Sequence, residues 1–307
     1  MNQKIGALFV TYNPNLNSLS RNIDAARSQV DQCVVVDNGS SNFFELSKLI
    51  RDKEAIIICL KKNMGIASAQ NKGFEYFKSN DFNWVLTLDQ DSLIPENTIK
   101  AYLDSDLMND PQNAIITIGY YDRNWTDEQK RSLVYQGSDP YIEKRFVISS
   151  GNLVRISAWF RVSGFDESLF IDMVDYDFDA KLIVAGFKIW QVNSIIMDHA
   201  VGEVIHKPIL EKILFLPETG LLADHPAFRQ YYIYRNTMIF SKRYPSFAHK
   251  KMLTIRSLLS TRRMFVYQGK LKKIIASWKG VFDGARYNPK KDEYFIKTMS
   301  RLGKKVR

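Results

Sequence analysis

Two carboxylates, Asp89 and Asp91, stand two residues apart at the end of an apolar run, Trp84 to Leu88. At a strand end both can turn toward one divalent cation. Mg²⁺ and Mn²⁺ prefer oxygen ligands and share them with substrate phosphates. The pair therefore predicts a metal site. The alternative is a solvated turn that caps the next helix.

Two further segments suit a nucleotide. Asp37-Asn-Gly-Ser40 contains the Asn-Gly pair of a tight turn, and Asp37 can accept a hydrogen bond from a pyrimidine N–H or a ribose hydroxyl. An ordinary turn is the alternative. The segment Asn63 to Asn71 opens a helix, whose N-terminus favours a diphosphate. Its small residues Gly65, Ala67 and Ala69 either admit a nucleotide to the backbone or pack the helix on a sheet.

An acidic segment, Phe165 to Phe178, sets carboxylates among aromatic and aliphatic residues. Acids beside apolar neighbours lose hydration, which suits a general base. Helix capping by two of them is a compatible alternative. His199 follows another apolar run and is either a metal or phosphate ligand or a structural histidine. The acids are Asp166, Glu167, Asp172, Asp175 and Asp177, and the two candidate caps are Asp172 and Asp175.

The elements that must position these residues alternate along the first third of the chain. Apolar runs predict strands over 5–10, 33–37, 55–60, 84–88 and 114–118, with helical spacing over 16–30, 43–51, 67–79 and from about residue 96. This alternation predicts a parallel sheet covered on both faces. Ligands bind beyond the carboxyl ends of such strands. One continuous site is therefore predicted at Thr11–Pro14, Asp37–Ser40, Asn63–Gly65 and Asp89–Asp91.

Beyond these elements, the sequence predicts a mobile polar loop over Thr126–Lys144 and one more strand over Phe146–Ser150. It also predicts a helix over Asp175–Ala185 that ends with Gly186 as a C-cap. From Phe228 onward the spacing is helical, with breaks near Pro245, Gly269 and Pro289.

Composition points to a folded protein. The chain has 307 residues, 45% of them hydrophobic, which is enough for a full core. Cys33 and Cys59 lie in strand-like runs and are predicted to be buried, reduced thiols. Met1 to Lys4 leads directly into a strand-like run, so no signal peptide is expected. No apolar stretch reaches the roughly 18 residues of a membrane span. We expect a cytoplasmic protein, peripheral at most to a membrane.

The net charge of +10 is unevenly distributed. Residues 227–307 hold 21 Lys and Arg and 3 Asp and Glu. Residues 1–226 hold 22 Lys and Arg and 30 Asp and Glu. A basic tail attracts polyanions, either nucleic acid or anionic lipid. Residues 270–279 combine basic and apolar residues at helical spacing, which predicts an interfacial helix on anionic lipid. The alternatives are packing on the rest of the chain or a homodimer contact. No recognisable nucleic-acid module precedes the tail, so nucleic acid is not expected.

In this order and spacing, the motifs resemble those of the family 2 glycosyltransferases. The resemblance implies a GT-A fold, a Rossmann-like, mostly parallel mixed sheet flanked by helices. It implies a catalytic domain over 1–226, with a nucleotide-sugar half over about 1–120 and an acceptor half over about 121–226. A basic helical extension over 227–307 would follow. The resemblance to the family spans about residues 4–240. It rests on the motifs Val10–Asn13, Val36–Ser40, Asn63–Gly65, Asp89–Asp91, Ser150–Asn152 and Phe170–Asp177.

The last motif, with Tyr232 to Asn236, is most similar to the bacterial rhamnosyltransferase branch. The resemblance implies an inverting transfer of L-rhamnose from dTDP-rhamnose to a glycan or lipid-linked glycan in surface polysaccharide synthesis. It implies Mg²⁺ or Mn²⁺ as cofactor, and a peripheral place on the inner face of the plasma membrane is expected. The implied donor-side residues are Thr11, Tyr12, Asn13, Asp37, Asn63, Gly65 and Asp89. The implied metal ligands are Asp91, Asp89 and His199, and the implied acceptor residues are Ser150, Gly151, Asn152 and Asp172.

The resemblance implies Asp175 as the catalytic base. Many family members have Glu-Asp where this chain has Val174-Asp175, and Asp172 and Asp177 stay open as alternative bases. Arg235 is predicted to reach the diphosphate or acceptor, with a charged helix end as the alternative. The Gln-x-x-Arg-Trp motif of processive synthases is absent from the sequence, which implies transfer of one or a few sugars.

Three other functions compete with this one. Transfer from UDP-galactose, UDP-glucose or UDP-galactofuranose is the first. A nucleotidyltransferase would carry a Gly-rich, basic loop after the first strand, and Thr11–Pro14 has neither feature. A non-catalytic nucleotide-sugar-binding protein is the third, and the presence of Asp89, Asp91 and Asp175 speaks against it.

Overall fold

The computed structural model describes residues 3–122, 125, 127–134, 136–199, 207–216, 224–248 and 253–306. The chain folds into two compact units. The first comprises residues 1–170 and 174–200, and the second comprises residues 171–173 and 201–307. The boundary predicted at residue 226 falls one residue before the helix Ala227–Arg243, and it stays a prediction.

A mixed sheet of eight strands lies at the centre of the first unit, counted over the described residues. The strand order is β3-β2-β1-β4-β7-β5-β8-β6. The first four strands are parallel, β7 runs antiparallel to β4 and β5, and β6 runs antiparallel to β8. The predicted α/β class with a mostly parallel mixed sheet is confirmed. The strands are β1 (Ile5–Thr11), β2 (Gln32–Asp37), β3 (Ile56–Cys59), β4 (Trp84–Asp89), β5 (Asn113–Asp122), β6 (Tyr141–Lys144), β7 (Asn152–Arg155) and β8 (Lys188–His199).

A helix cap and a close helix–sheet contact position two helices of the first unit. Asn15 Oδ1 accepts from Ser18 N over 3.1 Å, which caps α1. In α3, a Cβ at Gly73 would approach Leu8 to 2.2 Å, so a glycine is needed where this helix crosses the sheet. The helices are α1 (Leu16–Arg27), α2 (Phe43–Asp52), α3 (Ile66–Ser79), α4 (Thr98–Asp104), α5 (Asp127–Leu133), α6 (Ile156–Arg161) and α7 (Val174–Val184), with 3-10 helices at Leu107–Asn109 and Glu167–Leu169.

The core of the first unit lies between the sheet and its helices. Phe9, Trp84 and Leu86 from the sheet and Leu19 and Tyr102 from the helices are fully buried. Burial of apolar surface contributes about 25 cal/mol per Å². The central strands are covered on both faces, which explains why β1, β2 and β4 are almost continuously hydrophobic.

The second unit is helical where it is described, with breaks close to those predicted. Helices α9 and α11 pack backbone to backbone, because a Cβ at Gly280 would approach Tyr231 O to 2.3 Å and one at Gly284 would approach Met238 Cβ to 2.5 Å. Within the residues that the structure describes, no helix combines the length and apolar character that a bilayer crossing requires. The helices are α8 (Pro208–Ile213), α9 (Ala227–Arg243), α10 (Leu253–Ser260), α11 (Lys270–Arg286) and α12 (Glu293–Arg301), with 3-10 helices at Thr261–Val266 and Pro289–Lys291.

Two predictions over residues 126–150 are wrong. The predicted loop over 126–144 contains α5 and β6, and β6 pairs with the long strand β8. The predicted strand over 146–150 is irregular, and the strand begins at Asn152 instead. The backbone of this segment bonds side chains rather than a neighbouring strand. Val147 N donates to Asp179 Oδ2 over 2.8 Å, and Ser149 O accepts from Thr87 Oγ1 over 2.5 Å.

The prediction for the cysteines is half right. Both are free thiols, but only Cys33 is buried. Burial raises the pKa of the Cys33 thiol to about 12. Cys59 is exposed because β3 is an edge strand of the sheet, with a neighbour on one side only.

Candidate active site

Hydrogen bonds join the loops that follow β1, β2 and β3. Asn13 N donates to Ser40 Oγ over 2.8 Å, and Asn13 Oδ1 accepts from Ser41 N over 2.7 Å. Asn38 Nδ2 donates to Asn63 Oδ1 over 3.1 Å. The carboxyl ends of these three strands therefore form one continuous edge, as predicted.

Asp37 anchors the turn after β2. One carboxylate oxygen accepts from Gly39 N at 3.2 Å and Ser40 N at 3.1 Å, and the other accepts from the Ser40 hydroxyl and from Thr11 Oγ1 at 3.4 Å. Asp37 and Thr11 are both 0% exposed. The described contacts favour the turn-forming interpretation for these two residues. Direct contact with a nucleoside finds no support in this arrangement.

Tyr12 is presented at the same edge. Its side chain is 48% exposed, and its backbone N–H donates to Gln90 Oε1 over 2.9 Å. Asn22 Nδ2 holds Gln90 from the other side by donating to its carbonyl over 3.0 Å. An exposed aromatic ring thus lies beside the loop that carries Asp89 and Asp91. Such a ring offers a flat surface for a nucleoside base.

Gly65 lies where the N-terminus of α3 meets Phe170. Gly65 has φ +86°, and a Cβ there would approach Phe170 O to 2.6 Å. The N–H of Ile66 donates to that same oxygen over 2.7 Å. Ala67 and Ala69 have no exposed surface. The small residues of this segment therefore serve close packing, and the interpretation that they admit a nucleotide finds no support here.

Asp89 and Asp91 lie at the end of β4. Asp89 is half-buried and Asp91 is exposed. Mg²⁺ is commonly held by one or two carboxylates together with substrate phosphates, and this pair fits that mode. In the described part of the chain, no three His, Cys, Asp or Glu side chains are grouped closely enough to hold a metal ion. His199 is the last residue of β8, and its side chain lies outside the described residues, so its role stays a prediction.

Ser149 and Ser150 connect the end of β4 with the acidic segment. Ser149 Oγ donates to Asp175 Oδ1 over 2.9 Å, and Asp89 N donates to Ser150 Oγ over 3.2 Å. Consecutive Cα atoms are about 3.8 Å apart. Asp89 and Asp175, which are 86 positions apart in the sequence, therefore contact the same dipeptide.

Asp175 is half-buried in the first turn of α7, whereas the next two acids of that helix are buried. Asp177 Oδ2 lies 3.3 Å from Lys181 Nζ, which also donates to Gly164 O over 2.6 Å. Asp179 accepts from Val147 N, and burial raises its pKa well above the usual range for a carboxyl. The geometry therefore does not favour Asp177, one of the alternative bases, for contact with an acceptor.

Asp172 and Arg235 belong to the second unit, and both are engaged there. Arg229 holds the Asp172 carboxylate through Nε at 3.2 Å and a terminal nitrogen at 3.0 Å. Buried Asn236 donates to the Asp172 carbonyl over 2.9 Å. Arg235 Nε donates to Asn236 Oδ1 over 2.9 Å, and its guanidinium lies 4.9 Å from the ring centre of Tyr232. The predicted contact of Arg235 with a donor stays a prediction.

The acceptor residues predicted from the Ser-Gly-Asn motif are buried. Ser150 accepts from Asp89 N, Gly151 O accepts from Tyr102 Oη over 2.5 Å, and Asn152 is in β7. Because all three residues are buried, the structure does not support their contact with an acceptor. Sequence reasoning missed Ser149, which is half-buried and bonded to Asp175. The Ser-Ser pair before Gly-Asn was the only signal for it.

Tyr176 was also missed. It follows Asp175, is 41% exposed and stacks on Phe146 with ring centres 5.2 Å apart and planes 24° apart. The stacked pair is a flat apolar surface beside the Asp175 carboxylate. Sequence alone does not reveal it, because Phe146 and Tyr176 are 30 positions apart.

The comparisons with known proteins agree with one another. A sequence profile described as "Glycosyl transferase family 2" matches residues 7–169. The dTDP-rhamnosyl transferase RfbF of Shigella flexneri is 30% identical over 312 residues, covering 94% of this chain and 100% of the relative.

Two solved structures resemble the fold. S. aureus TarS 1-349 in complex with UDP is 17% identical with a TM-score of 0.50, covering 93% of each chain. GalNAc-T7 with UDP, GalNAc and Mn²⁺ is 10% identical with a TM-score of 0.55, covering 92% of this chain and 56% of that one. At these identities the likeness concerns the fold alone, and the predicted fold is confirmed.

Proposed function

The chain belongs to glycosyl transferase family 2, and on that premise we propose that it transfers L-rhamnose from dTDP-rhamnose to a glycan or lipid-linked glycan. The assignment of dTDP-rhamnose as the donor rests on the similarity to a dTDP-rhamnosyl transferase over the full length of that relative. Transfer from a UDP-hexose such as UDP-galactose, UDP-glucose or UDP-galactofuranose is the alternative. A non-catalytic role is disfavoured because the adjacent residues Ser149 and Ser150 bring the half-buried Asp175 next to the end of β4, which carries Asp89 and the exposed Asp91.

The proposed reaction is one displacement. Asp175 accepts the proton of an acceptor hydroxyl, and the hydroxyl oxygen attacks the anomeric carbon. The bond from that carbon to the nucleoside diphosphate breaks as the new glycosidic bond forms. Attack opposite the departing group inverts the anomeric configuration, so β-linked dTDP-rhamnose gives an α-rhamnoside. Asp175 is supported as the base by its partial exposure and by the hydrogen bond from Ser149, whereas Asp172 and Asp177 are held by Arg229 and Lys181.

Asp89 and Asp91 are proposed to hold Mg²⁺ or Mn²⁺, with His199 as a further candidate ligand. When bound, the ion would neutralise the charge that develops on the departing diphosphate. The chain's own part is to place two carboxylates at the end of β4. That strand end is fixed by the Asp89 N bond to Ser150 Oγ and by Gln90, which accepts from Tyr12 N.

The two exposed tyrosines at this edge suit the two substrates. We assign the ring of Tyr12 to the nucleoside base, with Asn13 and Asn63 exposed on the neighbouring loops. We assign the ring of Tyr176, stacked on Phe146, to the acceptor sugar, because it adjoins the carboxylate that must reach the acceptor hydroxyl. A lipid-linked acceptor would place the enzyme at the inner face of the plasma membrane as a peripheral protein.

A donor panel tests the proposal. The full chain is incubated with an oligosaccharide acceptor and dTDP-rhamnose, UDP-galactose, UDP-glucose or UDP-galactofuranose, with Mg²⁺, Mn²⁺ or a chelator. We expect metal-dependent release of dTDP from dTDP-rhamnose well above release from the other donors, and an α-linked product by NMR. Preferred turnover of a UDP-sugar would refute the rhamnose assignment while leaving the family assignment intact. A β-linked product would contradict the single displacement.

A further inference from the structure

Helix α11 has two faces of opposite character. One face is made of small residues and packs on α9, where Gly280 and Gly284 allow the two backbones to approach closely. Ser277 and Val281 are buried on that same side. Val281, together with partly buried Ile274, joins the apolar cluster of the second unit, so the other large apolar residues of α11 are not needed to hold the helix there.

The opposite side of α11 carries an exposed apolar stripe. Its four members are between 47% and 70% exposed. At about 100° per residue, spacings of four, three and four positions place them within an arc of about 60°. Four large apolar side chains in a row on an exposed helix face normally mark an interaction surface. They are Leu271, Ile275, Trp278 and Phe282.

Basic residues border this stripe. Lys272, Lys279 and Arg286 are exposed and, by the same periodicity, lie in the next roughly 60° of the helix surface. The one acidic residue of α11, Asp283, accepts from Tyr231 Oη of α9 over 3.0 Å and lies 3.8 Å from Arg286 Nη1, so it offsets the charge of Arg286 but leaves Lys272 and Lys279. The border of the stripe is consequently cationic.

The neighbouring elements extend the same character. Ile255 and Leu259 of α10 and Phe265 of the following 3-10 helix are 45% to 59% exposed. Arg256 and Arg263 are exposed among them. Trp278 Nε1 donates to Thr261 Oγ1 over 3.1 Å, which ties the α11 stripe to that 3-10 helix.

We propose that the α11 stripe and its basic border insert into the surface of an anionic lipid bilayer. Charge complementarity favours this occupant: residues 227–307 hold 21 basic and 3 acidic residues, and a stripe with a net cationic border repels a second copy of itself. An amphipathic helix with Lys and Arg beside Trp, Phe and Leu lies in the plane of a membrane interface with its apolar face buried. Binding to the membrane would bring the enzyme to a lipid-linked acceptor. This consequence rests on the proposed function, whereas membrane binding itself does not.

Vesicle flotation of the full chain tests the proposal. Vesicles of phosphatidylcholine with about 30% phosphatidylglycerol are compared with pure phosphatidylcholine. One variant carries Leu271→Ser, Ile275→Ser and Phe282→Ser, and a second carries Lys272→Glu and Lys279→Glu. Phe44→Ser removes an aromatic side chain from α2 of the first unit that is even more exposed than Phe282, and it serves as the matched control. All substituted side chains are exposed, so circular dichroism and thermal melting should stay unchanged.

We expect the wild-type chain and Phe44→Ser to float with the anionic vesicles and not with the neutral ones. Each α11 variant should lose at least about tenfold in vesicle partitioning, since apolar burial and charge attraction both contribute. Release of dTDP with a soluble acceptor should be unchanged in both variants. Flotation that is unaffected by both variants would overturn the proposal. A wild-type dimer in light scattering that the α11 variants dissociate, without any vesicle binding, would assign the stripe to self-association and overturn it as well.

Discussion

Ser149 donates a hydrogen bond from its hydroxyl to Oδ1 of Asp175 over 2.9 Å. The backbone of Ser149 is itself fixed, because its carbonyl accepts from Thr87 Oγ1 of β4. A hydrogen bond to the ionised form of a carboxylate favours that form and fixes its orientation. The end of β4 thus supports the position of the proposed base at the start of α7.

Replacing Ser149 with Ala should lower turnover by roughly tenfold. A hydrogen bond to a charged group is worth about 1.5–3 kcal/mol, and about 1.4 kcal/mol is a factor of ten in rate. Without the hydroxyl the ionised carboxylate is less favoured, so the acid limb of the pH–rate profile should move to higher pH. The measurement is kcat against pH for rhamnosyl transfer.

Ser149→Thr is the matched control for this prediction. It retains the hydroxyl and should keep both the rate and the pH profile close to those of the wild type. If Ser149→Ala loses activity without any change in the pH profile, the serine supports the local structure only.

Replacing Asp91 with Asn should remove most of the metal response. We expect turnover to fall by roughly 100-fold or more, because stabilisation of charge on the leaving diphosphate is a large part of such a barrier. Calorimetric titration of Mn²⁺ in the presence of dTDP gives a second readout that does not depend on turnover. Asp52→Asn, an exposed carboxylate at the end of α2, is the control and should behave like the wild type. Unchanged Mn²⁺ binding by Asp91→Asn would disprove the ligand assignment.

Replacing Asp179 with Asn should stabilise the fold in a pH-dependent way. Burial raises the pKa of Asp179 in the folded state, so the contribution of Asp179 to stability is greatest below the unfolded pKa of about 3.9 and falls as pH rises toward the folded value. Asn cannot ionise, yet its carbonyl oxygen still accepts from Val147 N. Urea unfolding between pH 4 and pH 8 should show a difference in free energy of unfolding that is small at pH 4 and grows with pH. A difference that is independent of pH would contradict the burial of this carboxyl.

The two cysteines should differ sharply in reactivity. A thiol reagent should titrate one thiol in the native protein and two after unfolding. Cys33 is buried and burial raises its pKa to about 12, so its reactive thiolate is scarce. Cys59 is exposed and therefore accessible to the reagent. The partial loss of hydration at this thiol and, second, the charge of Asp37 raise its pKa, so its reaction should be slow at neutral pH. Cys59→Ser should abolish native-state reactivity, and rapid reaction of two thiols without denaturant would be inconsistent with the structure.

Strong local patterns explain why much of the fold was predictable. The strands β1, β2 and β4 are nearly continuous apolar runs rich in β-branched residues, and such runs are typical of strands buried on both faces. The strand-end residues Asn13, Asn63 and Asp91 are polar, turn-forming and exposed, so their shared edge followed from the topology of a parallel sheet.

Long-range contacts explain what could not be predicted. The segment 146–150 is not a strand because a side chain 32 positions away, Asp179, binds the backbone of Val147. The exposure of Cys59 depends on β3 being an edge strand, which the sequence of that strand does not encode. Asp175 and Asp177 are both aspartates in one helical turn, and only the folded structure distinguishes them: Asp177 is buried against Lys181, whereas Asp175 is half-buried and bonded to Ser149.

Rhamnosyl transfer by Asp175→Asn is the most direct test of the proposed chemistry, with Asp172→Asn measured beside it. Loss of a general base typically lowers turnover about 10²–10⁴-fold. We expect Asp175→Asn to lose turnover by this factor while its affinity for dTDP in the presence of Mn²⁺ stays near that of the wild type. Asp172→Asn should retain most of its turnover. Near-normal turnover by Asp175→Asn would contradict the assignment of this residue as the base.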